Sequence, residues 1–537
     1  MKRNIFLIAL IAASSATLYA QNELDVYKLS HNDLTGTARS VAMGGAFGAL
    51  GGDLSGVAIN PAGIAVYKSS EFVTTLNFQK ANTQTTFPNG LDMKDNKFKF
   101  SLNNLGYIAS VPIDNEDVPR INFGFAYNRL KNFDTKYRMG GGSQSFSLTD
   151  YIAAKSYGVS RTNLSNSVTP DGFNPPSGTP WLSALGWNSY LMNYKGLDGN
   201  GKPNYEGLLP QGKTISPWLD VEEKGAIDKY DFTAGTTIAD KLSIGLTLSV
   251  TDISYRMHSN YEEDLDKDNF YYLENELKTE GSGFQFNLGL IYKPVNALRL
   301  GFSYQSPTWY SMTDYYGASM TDQLNGFVKD PNYKLGTTDT GVGSADYNMR
   351  TPDKYTFSIA GVIGQTAILS ADYELTNYKN MKLSDDNDPT WTSNQKMFIG
   401  EDFKAASTLR LGAEVRFTPQ FSGRVGYMWQ QAPLTATFKD GKSGFLNKDL
   451  GFGEQLPNTS TLTNFTLEGD ANYFTYGLGY RFSKSFYTDV AFVMKSQKAD
   501  LYPFPNLFFA DGSDLGVIPA ELKTNTFSGL LTFGFRF

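Results

Sequence analysis

Lys241–Thr251 reads KLSIGLTLSVT. Leu242, Ile244, Leu246, Leu248 and Val250 share one parity, and Ser243, Gly245, Thr247, Ser249 and Thr251 the other. Strict period two marks an extended strand with one apolar and one polar face. A tilted strand crossing a bilayer needs about 9–11 such residues. The same pattern recurs along the chain. It centres on Phe72–Gln79, Lys99–Val111, Arg120–Leu130, Tyr230–Ile238, Phe284–Tyr292, Leu298–Trp309, Tyr355–Ile363 and Ala367–Leu375. It continues at Thr408–Phe417, Phe421–Trp429, Asn472–Phe482, Phe486–Met494 and Thr524–Phe537, which makes fourteen segments in all.

The connections alternate in length. Short turns fall at Asp114–Val118, Asp240-Lys241, Pro294–Ala297, Gly364-Gln365, Pro419-Gln420 and Lys484-Ser485. Long polar excursions separate them: Ala81–Asn96, Lys131–Lys229, His258–Ser282, Ser311–Asp353, Asn377–Ser407, Gln431–Ala471 and Ser496–Lys523. A soluble β-sandwich gives no reason for this alternation, whereas short periplasmic turns and long outer loops belong to bacterial membrane barrels. The fold class is all-β, a transmembrane antiparallel β-barrel of about 14 strands.

Charges within the strands support this reading. Arg410, Glu414 and Arg416 share the parity opposite Leu409, Leu411, Ala413, Val415 and Phe417. By the same count Arg299, Arg424, Arg481, Asp372, Glu374, Asp489 and Lys495 face the lumen. An Arg or Lys on the lipid face at mid-membrane costs about 2–4 kcal/mol.

Composition excludes several other functions. The 537 residues contain no Cys and only two His, so thiolate chemistry and His-based metal sites or catalysis have little to work with. A net charge of −7 argues against nucleic acid. Glu262, Glu263, Asp264, Asp266 and Asp268 lack the spacing of an EF-hand and read as a solvated loop. No nucleophile–base pair, metal set or cofactor motif emerges, so neither an enzyme nor a cofactor is expected. Residues 1–20 read as a signal peptide: Lys2 and Arg3, the apolar run Ile5–Ala13, and Leu18-Tyr19-Ala20 before a cleavage site.

Between that signal and the first strand lies Ala38–Ala65, ARSVAMGGAFGALGGDLSGVAINPAGIA. It is too rich in glycine for a stable helix and too apolar for a solvated tail, which suits tight packing inside another structure. Met43-Gly44-Gly45-Ala46-Phe47, Asp53 and Asn60-Pro61-Ala62-Gly63 resemble the N-terminal hatch of the FadL/TodX family. Those are outer-membrane transporters of long-chain fatty acids and other hydrophobic compounds. Gly52-Asp53 stands where the family commonly has an acidic pair. The terminal Phe537 resembles the signal read by the barrel-assembly machinery.

The resemblance implies a hatch over 21–69 and a barrel over 70–537, in the outer membrane of a Gram-negative cell. The implied function is extracellular capture of a hydrophobic or amphipathic small molecule, passage past a gate at Asn60, Pro61, Ala62 and Gly63, and lateral release. The alternative is a structural or secretion-associated barrel that docks exported proteins. The small inward face Asn122, Gly124 and Ala126 of the third strand is the candidate for a lateral gap, or simply room for the hatch. Arg299, Arg410, Arg416 and Arg424 are candidates for holding a ligand carboxylate, or for a structural charge network. The excursion at 131–229, the longest, carries Trp181, Leu185, Trp187 and Tyr190 on an expected short helix. These residues are assigned capture, with a self-packed cap as the alternative. Outer-membrane lipids are the expected surroundings, and a monomer the expected state.

Overall fold

The computed structural model describes residues 22–537 except 210–212, 267, 329–332, 334, 365, 440–444, 448–451, 457–459 and 510–512. The expected signal peptide lies outside the described residues. Fourteen strands form the wall. They are β1 (Glu71–Thr86), β2 (Asp92–Pro112), β3 (Arg120–Asn132), β4 (Ser216–Ile238), β5 (Leu242–Asp266), β6 (Asn269–Val295) and β7 (Leu298–Gln305). The circuit continues with β8 (Lys354–Ile363), β9 (Ala367–Asn377), β10 (Ala405–Arg416), β11 (Phe421–Gln430), β12 (Phe465–Arg481), β13 (Phe486–Tyr502) and β14 (Ala520–Arg536). Each pairs antiparallel with the next, and β14 closes on β1 from Glu71↔Arg536 to Thr86↔Glu521. Closure leaves no free edge at the join, which the bilayer requires of a spanning sheet.

Several strands run far beyond the membrane. β5 has 25 residues and β6 has 27, with unbroken register from Leu242↔Tyr292 to Glu262↔Tyr272. The expected loop at 258–282 is therefore a hairpin. Along β5 the apolar residues change sides. Leu246, Leu248 and Val250 are exposed outward, whereas Ile253, Tyr255, Met257 and Tyr261 are buried inward. β6 does the same, with Phe284, Leu288 and Leu290 outward and Tyr271, Leu273 and Leu277 buried. Where lipid gives way to water, the outer face must become polar and the inner face gains apolar partners. The acidic cluster belongs to this extension. Glu263 is buried and accepts hydrogen bonds from Ser147 Oγ (2.6 Å), the Leu148 amide (2.7 Å) and Tyr261 OH (2.7 Å). It is an internal acceptor, not solvated surface.

Residues 22–70 lie inside the barrel, the first helix within the upper core and the rest filling the lower lumen. They form α1 (Glu23–Ser30), α2 (Ala38–Ala42), α3 (Leu54–Ile59) and a 3-10 turn over Pro61–Val66. Short helices thus form where glycine content argued against them, because the wall and good caps supply what propensity lacks. Asp53 caps α3, accepting from the Ser55 and Gly56 amides at 3.0 and 3.3 Å, and Thr37 Oγ1 donates to it at 2.8 Å.

The wall meets this plug with glycine. Nine strands present one at its level: Gly106, Gly124, Gly235, Gly245, Gly289, Gly301, Gly412, Gly426 and Gly477. A Cβ on Gly245 or Gly289 would collide with Asn60–Ala62, one on Gly301 with Gly48, and one on Gly412 or Gly426 with Met43–Gly44. Plug backbone therefore lies directly on wall backbone. We expect Gly426→Val to push the plug off the wall while the barrel still closes. Overpacking of this kind costs about 1–3 kcal/mol. Limited proteolysis should cut residues 22–70 faster, with unchanged heat-modifiable migration of the barrel on gels.

Candidate functional site

The site is the plug, the wall that grips it and the space above it. Asn60 is 1 % exposed and works in two directions. Its Oδ1 accepts from the Ala62 amide (3.1 Å), capping the 3-10 turn, and Pro61 fills the first position, where no amide is needed. Its Nδ2 donates to Gly48 O (2.6 Å) inside the plug and to Leu290 O (3.0 Å) on β6. Gly63 packs against Gly51, and its carbonyl accepts from the Gly52 amide at 3.1 Å. Polar wall residues complete the grip. Asp372 Oδ2 accepts from the Gly48 amide (2.9 Å), Thr475 Oγ1 from Gly44 (3.1 Å) and Thr532 Oγ1 from Ala38 (2.8 Å).

The four candidate arginines all point inward, but to different ends. Arg299 donates to the Leu50 carbonyl of the plug. Arg410 pairs with Glu374 at 2.8 Å. Arg424 pairs with Glu414 (2.6 Å) and Asp489 (2.5 Å), and Arg39 of α2 joins Glu414 at 2.9 Å. Only Arg416 makes no side-chain hydrogen bond or ion pair among the described residues. Three of the four bond to the charge network or the plug, and Arg410 also lines an internal cavity of about 120 Å³.

The third strand is continuous along the small face Asn122, Gly124 and Ala126. β3 pairs with β2 from Asn104↔Asn128 to Pro112↔Arg120 and with β4 from Ile121↔Thr236 to Arg129↔Asp228. Asn122, Gly124 and Ala126 sit inside both ladders. Asn122 Nδ2 donates to Ile64 O (2.7 Å) and Tyr67 O (3.0 Å), and a Cβ on Gly124 would come 2.8 Å from Ile64 Cδ1. The small face makes room for the plug.

The β2–β3 ladder instead stops one turn higher, at a bulge. Register shifts between Thr75↔Asn104 and Leu76↔Leu102, so Asn103 is the extra residue. Asn103 Nδ2 donates to Gly36 O (2.7 Å), and Asn104 Nδ2 to Asn128 Oδ1 (2.5 Å). Beyond it, Thr135–Gly140 stays in register with β4 but passes behind the β1–β2 hairpin, where Thr83 Oγ1 donates to Lys136 O. The β2 edge from Asp92 to Asn103 is joined to its neighbours by ion pairs: Asp95–Arg138 (2.9 Å), Lys99–Asp134 (3.1 Å) and Lys97–Glu222. Phe98 and Phe100 stand exposed on its outer face.

Behind this seam lies a chamber of about 160 Å³, bounded by Lys28, His31, Asp33, Asn103, Lys131, Asp134 and Lys495. Lys28 pairs with Glu223 at 2.8 Å and Lys495 with Asp33 at 2.7 Å. Of these chamber residues only Lys495 stood out in the sequence, by its lumen parity. The consecutive Asn103-Asn104, which interrupts period two, was the available signal.

A packed cap closes the barrel above. It contains α4 (Leu148–Lys155), α5 (Arg161–Ser165), α6 (Trp181–Asn188) and α7 (Pro389–Asp402), sharing one apolar core with the upper strands. The expected helix at Trp181 ends at Asn188, and Tyr190 turns the chain with φ +57°. Leu185 is fully buried, while Trp181, Trp187 and Tyr190 are half-buried; Trp181 packs edge-on to Phe173 and tilted against Tyr316. The excursion packs its own aromatics.

Residues 233–440 match the model of a family described as outer membrane protein transport protein (OMPP1/FadL/TodX). The fold is that of a Pseudomonas aeruginosa FadL homologue, with TM-score 0.51, 12% identity, and 94% of this chain and 99% of that one covered. The Pseudomonas putida toluene transporter TodX is 13% identical with TM-score 0.47, covering 95% of this chain and 100% of that one. The Ralstonia pickettii toluene transporter TbuX is 13% identical with TM-score 0.46, covering 94% and 99%. No curated protein matches in sequence. The FadL-like barrel fold expected from the sequence is borne out, and the family match falls on the barrel strands.

Two predictions follow from this geometry. Arg424→Gln would leave Glu414 and Asp489 buried with weakened partners, costing about 3–5 kcal/mol. The midpoint of urea unfolding should fall accordingly. In the cap, burial raises the Asp150 carboxyl to about 6, above its usual value of 3.8. A raised carboxyl favours the folded cap when protonated, so that contribution is full below about pH 4 and lost as pH rises through about 6. Amide exchange in α4 should quicken over that range, and Asp150→Asn should abolish the dependence.

Proposed function

We propose that this chain transports a hydrophobic or amphipathic small molecule, such as a long-chain fatty acid, across the outer membrane, as a transporter rather than an enzyme. The observation that carries the reading is a closed barrel plugged by short helices, with a chamber directly above the plug and an apolar cap above the chamber. The description of the matched family as outer-membrane transport supports it. Capture falls to the half-buried rim of Trp181, Trp187 and Tyr190, with Leu185 reached only when the cap opens. Asn60–Gly63 is the gate, because one Asn ties the plug's internal fold to the wall. Release is lateral, through the seam above Asn104↔Asn128, where side chains rather than a backbone ladder close the wall. A hydrophobic cargo leaving sideways keeps its chain out of water, worth about 0.8 kcal/mol per methylene. The barrel acts as a monomer surrounded by outer-membrane lipid, and is placed there by the barrel-assembly machinery.

Mass spectrometry of lipids copurifying with the protein should find fatty acids or similar amphiphiles enriched over an unrelated barrel prepared alike. Cells carrying the protein should take up labelled oleate faster than cells without it. Ala62→Trp should lower uptake while leaving the barrel inserted. No enrichment together with unchanged uptake would refute the reading.

A further inference from the structure

The periplasmic mouth of the barrel holds a second charged cavity, of about 180 Å³, between the underside of the plug and strands β10 to β14. Its roof is Gly52 and Asp53, and its walls carry Arg39, Arg416, Arg424, Arg481 and Arg536 against Glu414 and Asp489. The acids are already committed. Glu414 accepts from Arg39 and Arg424, Asp489 accepts from Arg424, and Arg536 reaches Glu71 at 2.9 Å while lying over Tyr487. Arg416 and Arg481 remain. Neither side chain makes a hydrogen bond or ion pair among the described residues, and Arg481 feels Arg536, Arg416 and Arg39 as like charges.

The register shows that the two converge. Arg416 is opposite Ser422 on β11, Ser422 is opposite Gly479 on β12, and Arg481 lies two residues further along β12. Two strand spacings across and two residues along, about 12 Å in all, separate their backbones. Ser422 between them is small, and Gly479 leaves its inner face to the Arg424–Asp489 pair. Gly479 is required there, because a Cβ would strike the Arg424–Asp489 pair. Five guanidiniums surround one cavity, and an anion shared between Arg416 and Arg481 would relieve their repulsion. Guanidinium presents paired donors that match the two oxygens of a carboxylate or phosphate.

We propose that Arg416 and Arg481 form an oxyanion-binding vestibule on the periplasmic side, taking a carboxylate or phosphate group. The group is either free or the head of an amphiphile lodged under the plug. Binding here does not require that the barrel transport anything, so the site stands or falls apart from the proposed function.

The test is calorimetric titration of the purified full chain, at fixed ionic strength, with inorganic phosphate, decyl phosphate and decanol. Arg416→Gln/Arg481→Gln should weaken both phosphates about tenfold or more, as loss of charge-assisted hydrogen bonds does, and leave decanol unchanged. Arg416→Lys/Arg481→Lys should retain part of the affinity. Lys241→Gln/Lys484→Gln, which removes exposed cations from neighbouring periplasmic turns, should change nothing. Tighter binding of decyl phosphate, with phospholipid copurifying only with the parental protein, assigns the head of a lipid. Equal binding of the two phosphates assigns a free anion. Equal affinity of the parental protein and the glutamine double variant overturns the proposal, as does an equal loss in the lysine control. Neither arginine makes a side-chain hydrogen bond or ion pair among the described residues, so the variant should fold. Should it not, Arg481→Gln alone gives the same comparison.

Discussion

Contact of plug backbone with wall backbone is the constraint on which the lower half of the molecule depends. A fourteen-stranded barrel is wide enough to leak, and side chains alone would fill its lumen only by chance matching of shapes. Nine wall strands instead withdraw their side chains where the plug passes. The plug then approaches closely enough for its amides to reach Asp372, Thr475 and Thr532, and its carbonyls to reach Asn103, Asn122 and Arg299. Irregular backbone at membrane depth is tolerated only when such partners are supplied. The short helices follow from this. α2 has five residues and α3 six, too few to persist alone, and they hold because both ends are capped and one face rests on the wall.

Above the plug the logic reverses. Strands that carry lipid-facing apolar residues below carry core-facing ones above, and the sheet changes from a membrane wall into the outer shell of a water-soluble cap. Glu263 shows how far this goes. A carboxylate at the tip of a hairpin, in an acidic stretch, is buried because α4 begins against it and supplies both a hydroxyl and an amide. The cap therefore has an apolar core, built on the same strands and shared with α1 of the plug.

This division explains what the sequence made legible. Period two and the turn lengths are local, and all fourteen strands, their order and the lumen parity of Arg299, Arg410 and Arg424 follow from them. The upper halves of β5 and β6 were hidden because their apolar parity flips near Val250 and Phe284, so a search for outward apolar faces stops there. Glycine at Gly124 was visible, but its meaning was not. The same gap in side-chain volume serves an opening or a close neighbour, and only Ile64, distant in sequence, decides between them. The chamber was illegible for the same reason. Lys28 and Glu223, or Asp33 and Lys495, become partners only through closure of the barrel.

Magnitudes locate a weak line in the wall. Along most joins, neighbouring strands share a continuous backbone ladder. Each bond contributes about 1 kcal/mol, and each would be left unmet in lipid at several times that cost if opened. Along β2 from Asp92 to Asn103 that ladder exists on the β1 side only. The other side is held by Asp95–Arg138, Lys99–Asp134 and Lys97–Glu222, partly exposed pairs worth about 0–1 kcal/mol each. The Asn103 bulge ends the β2–β3 ladder and lets Thr135–Gly140 pass behind the hairpin with its own backbone bonds made to β4. Separating hairpin from inner strand breaks side-chain contacts and strands almost no backbone groups. A wall opening here breaks fewer backbone bonds than at a continuously paired join, and the chamber lies directly behind it.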